Sequence, residues 1–278
     1  MSNSMAAVKG LATAALIKAG VINPAAEVRV LLAWLTGLEP NQLWRLDSLT
    51  ATQTAELDAA IERRCGGEPL QHITGLAYFR HLTVQVGPGV FVPRPETEVL
   101  VDWALDRLRD VGPGGQIVEL CAGSGAIAAS LALEADPGRI WAVERSDEAW
   151  SWLQRNLRGT IVEPVHADMA GALPDLNGDI DLVVANPPYI DPADVSLLSA
   201  EVLADPAEAL FSPEHGLAAS RTVVQVAWRL LKAGGWLGTE HGDQQGPAVV
   251  EIMVRQGFQD VRTYQDLTGR DRFTVGRR

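Results

Sequence analysis

A doubly wound, seven-stranded, mostly parallel α/β sheet is the fold class this sequence predicts, with a small helical bundle ahead of it and a β-hairpin between the two. Three observations predict it. From residue 116 onward, short apolar runs alternate with stretches of helical period, the rhythm of strands covered on both faces. The last two runs are joined only by a turn at Thr268-Gly269, too short for a crossover helix, so that pair is expected antiparallel. Before Gly75 the apolar residues recur at helical spacing only.

The elements follow in order. Leu11, Ala15, Leu16 and Ala19 mark a first helix; its start lacks the charged, apolar and cleavage regions of a signal peptide. Asn23-Pro24 reads as an N-cap with proline at the first helical position, opening a helix through Leu35. Thr50 or Thr52 caps a third, which Cys65-Gly66-Gly67 ends. Alternation over 82–86, a turn at Gly87-Pro88-Gly89 and Val90-Phe91-Val92 predict the hairpin. Two prolines in Pro93-Arg94-Pro95 prevent regular structure, and a helix then runs from Glu96 or Thr97 to about Arg109. Strands are predicted at 116–121, 139–144, 161–165, 180–185, 235–241, 260–265 and 272–277, with helices at 125–134, 147–157, 219–232 and 246–256.

Composition narrows the function. At 278 residues and 47% hydrophobic, the chain can bury a large domain and a small one. It has no run of 18 apolar residues, so no membrane attachment is expected. Two cysteines, Cys65 and Cys121, point to a reducing compartment, and a cytoplasmic location is expected. The histidines (72, 81, 166, 215 and 241) are scattered, and no Cys/His cluster has metal-ligand spacing. Net charge is −12: six basic and seven acidic residues up to Gly75 give −1, and 17 against 28 in the remainder give −11. The acidic second part disfavours a phosphate-gripping surface, so no stable nucleic-acid binding is expected.

The chemistry concentrates where strands are predicted to end. Asn186-Pro187-Pro188-Tyr189 follows the apolar run 180–185. Prolines hold the Asn extended and keep the local carbonyls out of a helix. An Asn oxygen beside a free backbone carbonyl can grip a planar –NH2 group, and the tyrosine offers it a flat face. Cys121-Ala122-Gly123-Ser124-Gly125 is a small loop between a strand and a helix, too short for a phosphate-binding P-loop. Glu144 ends the next strand, where a carboxylate can accept ribose hydroxyls. Asp168-Met169 follows the third; it can accept from an adenine amino group and pack on the ring. Phe91 is a candidate pocket wall or a core aromatic. Arg94, Glu96 and Glu98 read as an ion-pair cluster, and Cys121, without a partnered histidine motif, as a small loop residue.

Taken together, these stretches resemble the class I S-adenosylmethionine-dependent methyltransferases. More narrowly the chain resembles the protein-glutamine methyltransferase family called HemK or PrmC. The resemblance is carried by 67–75, Pro88 to Glu98, Glu119 to Ala128, Asn186 to Ile190, Glu240 to Gly246 and Gly269 to Arg272. It implies a Rossmann-like fold and methylation of the glutamine in the Gly-Gly-Gln loop of peptide chain release factors, with S-adenosyl-L-homocysteine as product. It further implies that Cys121, Ala122, Gly123, Ser124, Gly125, Glu144, Asp168, Met169 and Asn186 contact the cofactor. Asn186, Pro187, Pro188 and Tyr189, with Phe91, would contact the glutamine. The chain departs from many relatives at Glu119 and Glu144, where Asp is common, and at Ala122, where Thr is common. The expected division is a substrate-docking helical domain over 1–75, a hairpin linker over 76–95 and a catalytic domain over 96–278, acting as a monomer. The alternatives are an N6-adenine DNA or RNA methyltransferase, a ribosomal-protein glutamine methyltransferase, and a non-catalytic cofactor-binding protein.

Overall fold

The structure, a computed structural model, describes residues 4–278. The chain divides into two compact units. One runs through Leu76 and regains the chain at Ser199–Ala204; the other comprises Ala77–Leu198 and Asp205–Arg278.

The first unit is built of helices α1 (Met5–Lys18), α2 (Pro24–Thr36), α3 (Ala51–Cys65) and α4 (Leu70–Thr74). Pro24 stands at the start of α2, and Gly37 ends it at φ 68°. Thr50 and Gln53 form a reciprocal capping box on α3. Leu16, Leu31, Leu32 and Leu57, each at most 2% exposed, form the centre of its core. Buried Arg64 pairs with Glu27 through two bonds of 2.7 and 3.1 Å, and with Glu201 of the returning segment at 2.8 Å. A charge this buried needs such partners.

The second unit begins one residue into the hairpin of β1 (Leu76–Phe79) and β2 (Leu82–Gln85), which α5 (Glu98–Val111) follows. Then β3 (Gln116–Leu120), α6 (Ala126–Glu134), β4 (Arg139–Glu144), α7 (Asp147–Asn156), β5 (Val162–His166) and β6 (Ile180–Ala185) alternate. The chain finishes with α8 (Ala207–Leu210), α9 (Ala218–Leu230), β7 (Leu231–Glu240), α10 (Gly246–Gln256), β8 (Gln259–Gln265) and β9 (Asp271–Arg277). The sheet order is β5-β4-β3-β6-β7-β9-β8, parallel from β5 to β7, with β9 antiparallel to both its neighbours. One face carries a core of Leu100, Ala104, Ile127 and Leu131 from α5 and α6, the other of Val223, Ala227, Val249 and Met253 from α9 and α10. β6 is buried along its whole length, and its apolar run is interrupted by Asp181, which accepts from the Gln116 N–H at 2.9 Å.

Two expectations need correction. The hairpin lies one strand earlier than the alternation places it, and 90–92 is not a strand. Its turn is Arg80-His81, with Arg80 at φ 52°. A side chain rarely adopts that conformation unless its surroundings enforce it. Here the Arg80 N–H donates to Glu98, and its guanidinium bonds both oxygens of Glu134 and pairs with Asp102. Ala77, Phe79, Val84 and Val86 then join the core of the second unit. Nor do Arg94, Glu96 and Glu98 pair with one another: Arg94 bonds Asp205, whereas Glu98 accepts from Arg80.

β3 and α6 are tied by a buried acid. Glu119, 1% exposed, accepts from the Ala128 N–H at 2.9 Å. Burial is the largest influence on it; the Ala128 bond opposes and the Glu144 charge adds, and its pKa is pushed up from 4.5 to about 8. Folding therefore favours the protonated form. That contribution is complete below pH 4.5 and is lost as pH rises through about 8. Glu119→Gln cannot titrate. Its Tm relative to wild type should rise as pH goes from about 6 to about 9, by about 2–4 °C for each kcal/mol removed. A gap in Tm that stays constant over that range would overturn this account of Glu119.

Candidate active site

The parallel register brings the predicted site to one rim. Leu120 pairs with both Val143 and Ala185, Glu144 with His166, and Ala185 with Thr239. The residues at or just past the ends of these strands follow the order Asp168, Glu144, Cys121, Asn186, Glu240 across the rim. Between β3 and β6 the strand order reverses direction, which opens a crevice at the carboxyl ends. The loop 121–125 and Asn186 leave these two strands side by side.

The loop is held by backbone geometry. Cys121 and Gly123 have φ of 57° and 55°. A Cβ built on Gly123 meets nothing within 4 Å, so this backbone can be approached closely. The Gly123 N–H donates to Glu144 Oε2 at 2.8 Å, and the Arg145 and Ser146 N–H groups donate to Oε1, also at 2.8 Å. Three of roughly four acceptor sites on Glu144 are thereby used. Buried Ser124 is fixed through its carbonyl, which accepts from Asn156, the residue that also pairs with the backbone of Gln85. Ala122 is buried, and its N–H donates to Val143 at 3.0 Å. The Cys121 sulfur lies 3.7 Å from that of Met169. Burial, then the Glu144 charge, pushes its thiol well above the ordinary range. Asp168 is exposed and accepts from the Ala170 N–H at 2.8 Å.

The Asn-Pro-Pro-Tyr corner is braced from several elements. Asn186 Nδ2 donates to Thr97 Oγ1 at 3.3 Å, and that hydroxyl donates to Glu240 Oε2 at 2.7 Å. The Tyr189 hydroxyl donates to Glu240 Oε1 at 3.3 Å. Among the described residues, nothing donates to Asn186 Oδ1 or to the Pro187 carbonyl. Gln245 Nε2 donates to the Tyr189 carbonyl at 2.9 Å, while its Oε1 accepts from Gly242 at 2.8 Å. Gly216 packs so closely that a Cβ there would fall 2.1 Å from the Tyr189 carbonyl oxygen. Ile190 pairs with the 210–212 segment through two backbone bonds of 2.9 Å. Asp205 accepts from Val92 N–H and from Arg94, whose guanidinium lies 5.3 Å over the Phe91 ring.

Burial raises the Glu240 carboxyl to about 7, opposed by the Thr97 hydroxyl and Arg272. Burial, then Glu240, raises the Tyr189 hydroxyl, so it stays a donor. Thr97, Glu240, Gln245 and Asp205 were not singled out by sequence reasoning. Thr97, Glu240 and Gln245 lie in the stretches that carry the family resemblance, but a hydrogen bond such as that from Thr97 to Glu240, spanning 143 residues, leaves no local pattern. Among the described residues, no group of His, Cys, Asp and Glu is arranged to hold a metal ion, and no helix is long and apolar enough to cross a membrane.

Known proteins resemble the chain over both of its units. Residues 10–75 match the PrmC N-terminal domain family and residues 82–217 the methyltransferase small domain family. A release factor glutamine methyltransferase of Streptomyces coelicolor is 44% identical, over 96% of this chain and 95% of its own. That of Escherichia coli is 36% identical, over 92% of each. In fold, the chain is similar to the catalytic domain of hMettl16, solved with MAT2A 3'UTR hairpin 6 (TM-score 0.57, 12% identity, 82% and 81% of the two chains). It is also similar to a methyltransferase from Pyrococcus furiosus (TM-score 0.51, 16% identity, 82% and 98%). The second unit thus shares the fold of these methyltransferases. With similarity running nearly end to end through both units, the chain belongs to the release factor glutamine methyltransferase family.

Proposed function

We propose that this protein methylates the side-chain amide nitrogen of the glutamine in the Gly-Gly-Gln loop of peptide chain release factors. The observation that carries the reading is a pair of unengaged acceptors, Asn186 Oδ1 and the Pro187 carbonyl, at the crevice where the sheet reverses. A primary amide has two N–H bonds to satisfy, and two fixed acceptors match it. The crevice also suits the methyl donor. Its open backbone at Gly123 would receive the amino-acid end, Glu144 keeps one acceptor site for a ribose hydroxyl, and Asp168 with Met169 would border the adenine.

S-adenosylmethionine, when bound, supplies an electrophilic methyl group on a sulfonium. An amide nitrogen is a weak nucleophile because its lone pair is shared with the carbonyl. Asn186 and Pro187 hold its two N–H bonds and so aim the lone pair across the crevice. Tyr189 and Pro188 limit rotation of the amide plane, with Phe91 as a further wall. Transfer to the nitrogen so held would exchange one carbon–sulfur bond for one carbon–nitrogen bond, with one N–H proton released to solvent. Positioning of this kind can contribute on the order of 7–11 kcal/mol. Asn186→Ala should therefore lower turnover at least ~100-fold, with Tm close to wild type, since an aligned hydrogen-bonding group is typically worth about 2.7–4 kcal/mol. The measurement is mass spectrometry of release factor incubated with S-adenosylmethionine, locating one methyl group on one glutamine. Near-normal methylation by that variant, or transfer to DNA or RNA in place of release factor, would refute the reading.

The helical unit is assigned to docking of the protein substrate. Support comes from large apolar side chains it leaves in solvent, among them Ile22 (91% exposed) and Trp44 (76%). The same unit also exposes Leu11 (67%) and Ile17 (61%). Replacing Ile22 and Trp44 by Ala should raise KM for intact release factor and leave methylation of a short Gly-Gly-Gln peptide unchanged. Equal effects on both substrates would remove the docking role.

A further inference from the structure

We propose that Thr97 and Glu240 are positioning residues for methyl transfer: the buried Glu240 carboxylate sets the direction of the Thr97 hydroxyl, and that hydroxyl sets which end of the Asn186 carboxamide meets the substrate. The inference rests on the reading of Asn186 as acceptor for the glutamine amide.

A threonine hydroxyl has one proton to give and lone pairs to receive with. Thr97 gives its proton to Glu240 Oε2 at 2.7 Å. Toward Asn186, 3.3 Å away, it is then an acceptor only. Asn186 must turn its NH2 to Thr97, which leaves Oδ1 on the crevice side. A flipped carboxamide would set oxygen against oxygen at Thr97 and an NH2 donor against the donors of the incoming amide. The second Glu240 oxygen accepts from Tyr189 at 3.3 Å. One carboxylate therefore orients both the first and the last residue of the Asn-Pro-Pro-Tyr corner.

Packing alone does not call for these residues. Thr97 is 4% exposed and Glu240 1%, and burying a hydroxyl and a carboxylate is costly where apolar side chains would fill the same space. The charged and titratable groups facing Glu240 are Arg272 from β9, Glu96 from the turn before α5, and Tyr189. Burial, the largest influence, brings the Glu240 carboxyl to about 7. Protonation below that point removes its claim on the Thr97 proton and releases the fixed direction.

The test uses the full-length protein with a glutamine-containing peptide, recording kcat, KM and the pH profile. Thr97→Val preserves shape and removes the hydroxyl. It should lower kcat by about 10- to 100-fold, with KM and S-adenosylmethionine affinity changed by less than about threefold. Thr97→Ser should restore kcat to within about threefold of wild type. Wild-type kcat should fall as pH drops through about 7, and Glu240→Gln, whose side chain does not titrate, should lose that limb. Wild-type turnover by Thr97→Val, or a serine variant as impaired as the valine one, overturns the proposal. Should Thr97→Val fail to fold, retention of the acid limb in Glu240→Gln overturns it instead. A wild-type enzyme that leaves the peptide glutamine unmodified refutes the underlying reading of Asn186, a distinct outcome.

Discussion

The pairing of β3 with β6 is the constraint on which the rest depends. These strands are distant in sequence and adjacent in space, joined in parallel register from Ile117 with Leu182 to Leu120 with Ala185. That register alone decides that the 121–125 loop and Asn186 emerge side by side. A slip of one residue would turn every side chain of β6 to the opposite face. Burial of all six β6 residues makes such a slip costly, so the core protects the chemistry at the strand ends.

Around that constraint the site is assembled from short polar links between elements that share no local sequence. Gln245, ahead of α10, holds the Tyr189 carbonyl. Asp205, just after the chain leaves the helical unit, holds the 92–94 segment. Glu144 closes the 121–125 loop from the neighbouring strand. Each link satisfies a buried or half-buried polar group, and each fixes a backbone whose shape prolines and glycines make possible.

Much of this was legible in the sequence because burial leaves a periodic trace. The strands 116–120, 139–144 and 180–185 are covered on both faces and appear as mainly apolar runs, with single polar residues such as Glu119 and Asp181 among them. The capping box at Thr50 and the Pro24 helix start are local signals with local causes. Alternation places the hairpin one strand late because the turn uses Arg80, which lacks turn chemistry of its own and is held by acids from α5 and α6. The Gly87-Pro88-Gly89 stretch carried the expected turn residues and yet joins no pair of strands. Within the site, the residues on strand ends could be read from spacing. Their bracing partners Thr97, Glu240 and Gln245 could not, since what unites them is proximity in the folded chain.

The cysteine in the loop across from Asn186 has a chemical consequence. A thiolate is a far stronger nucleophile than a carboxamide, and it is the ionised sulfur that reacts. Placed in a loop assigned to hold an alkylating sulfonium, an ionised Cys121 would compete for the methyl group and inactivate its own enzyme. Low polarity and the nearby Glu144 charge keep the proton on that sulfur. In the proposed reaction, a sulfur kept protonated in this way does not compete with the amide nitrogen for the methyl group.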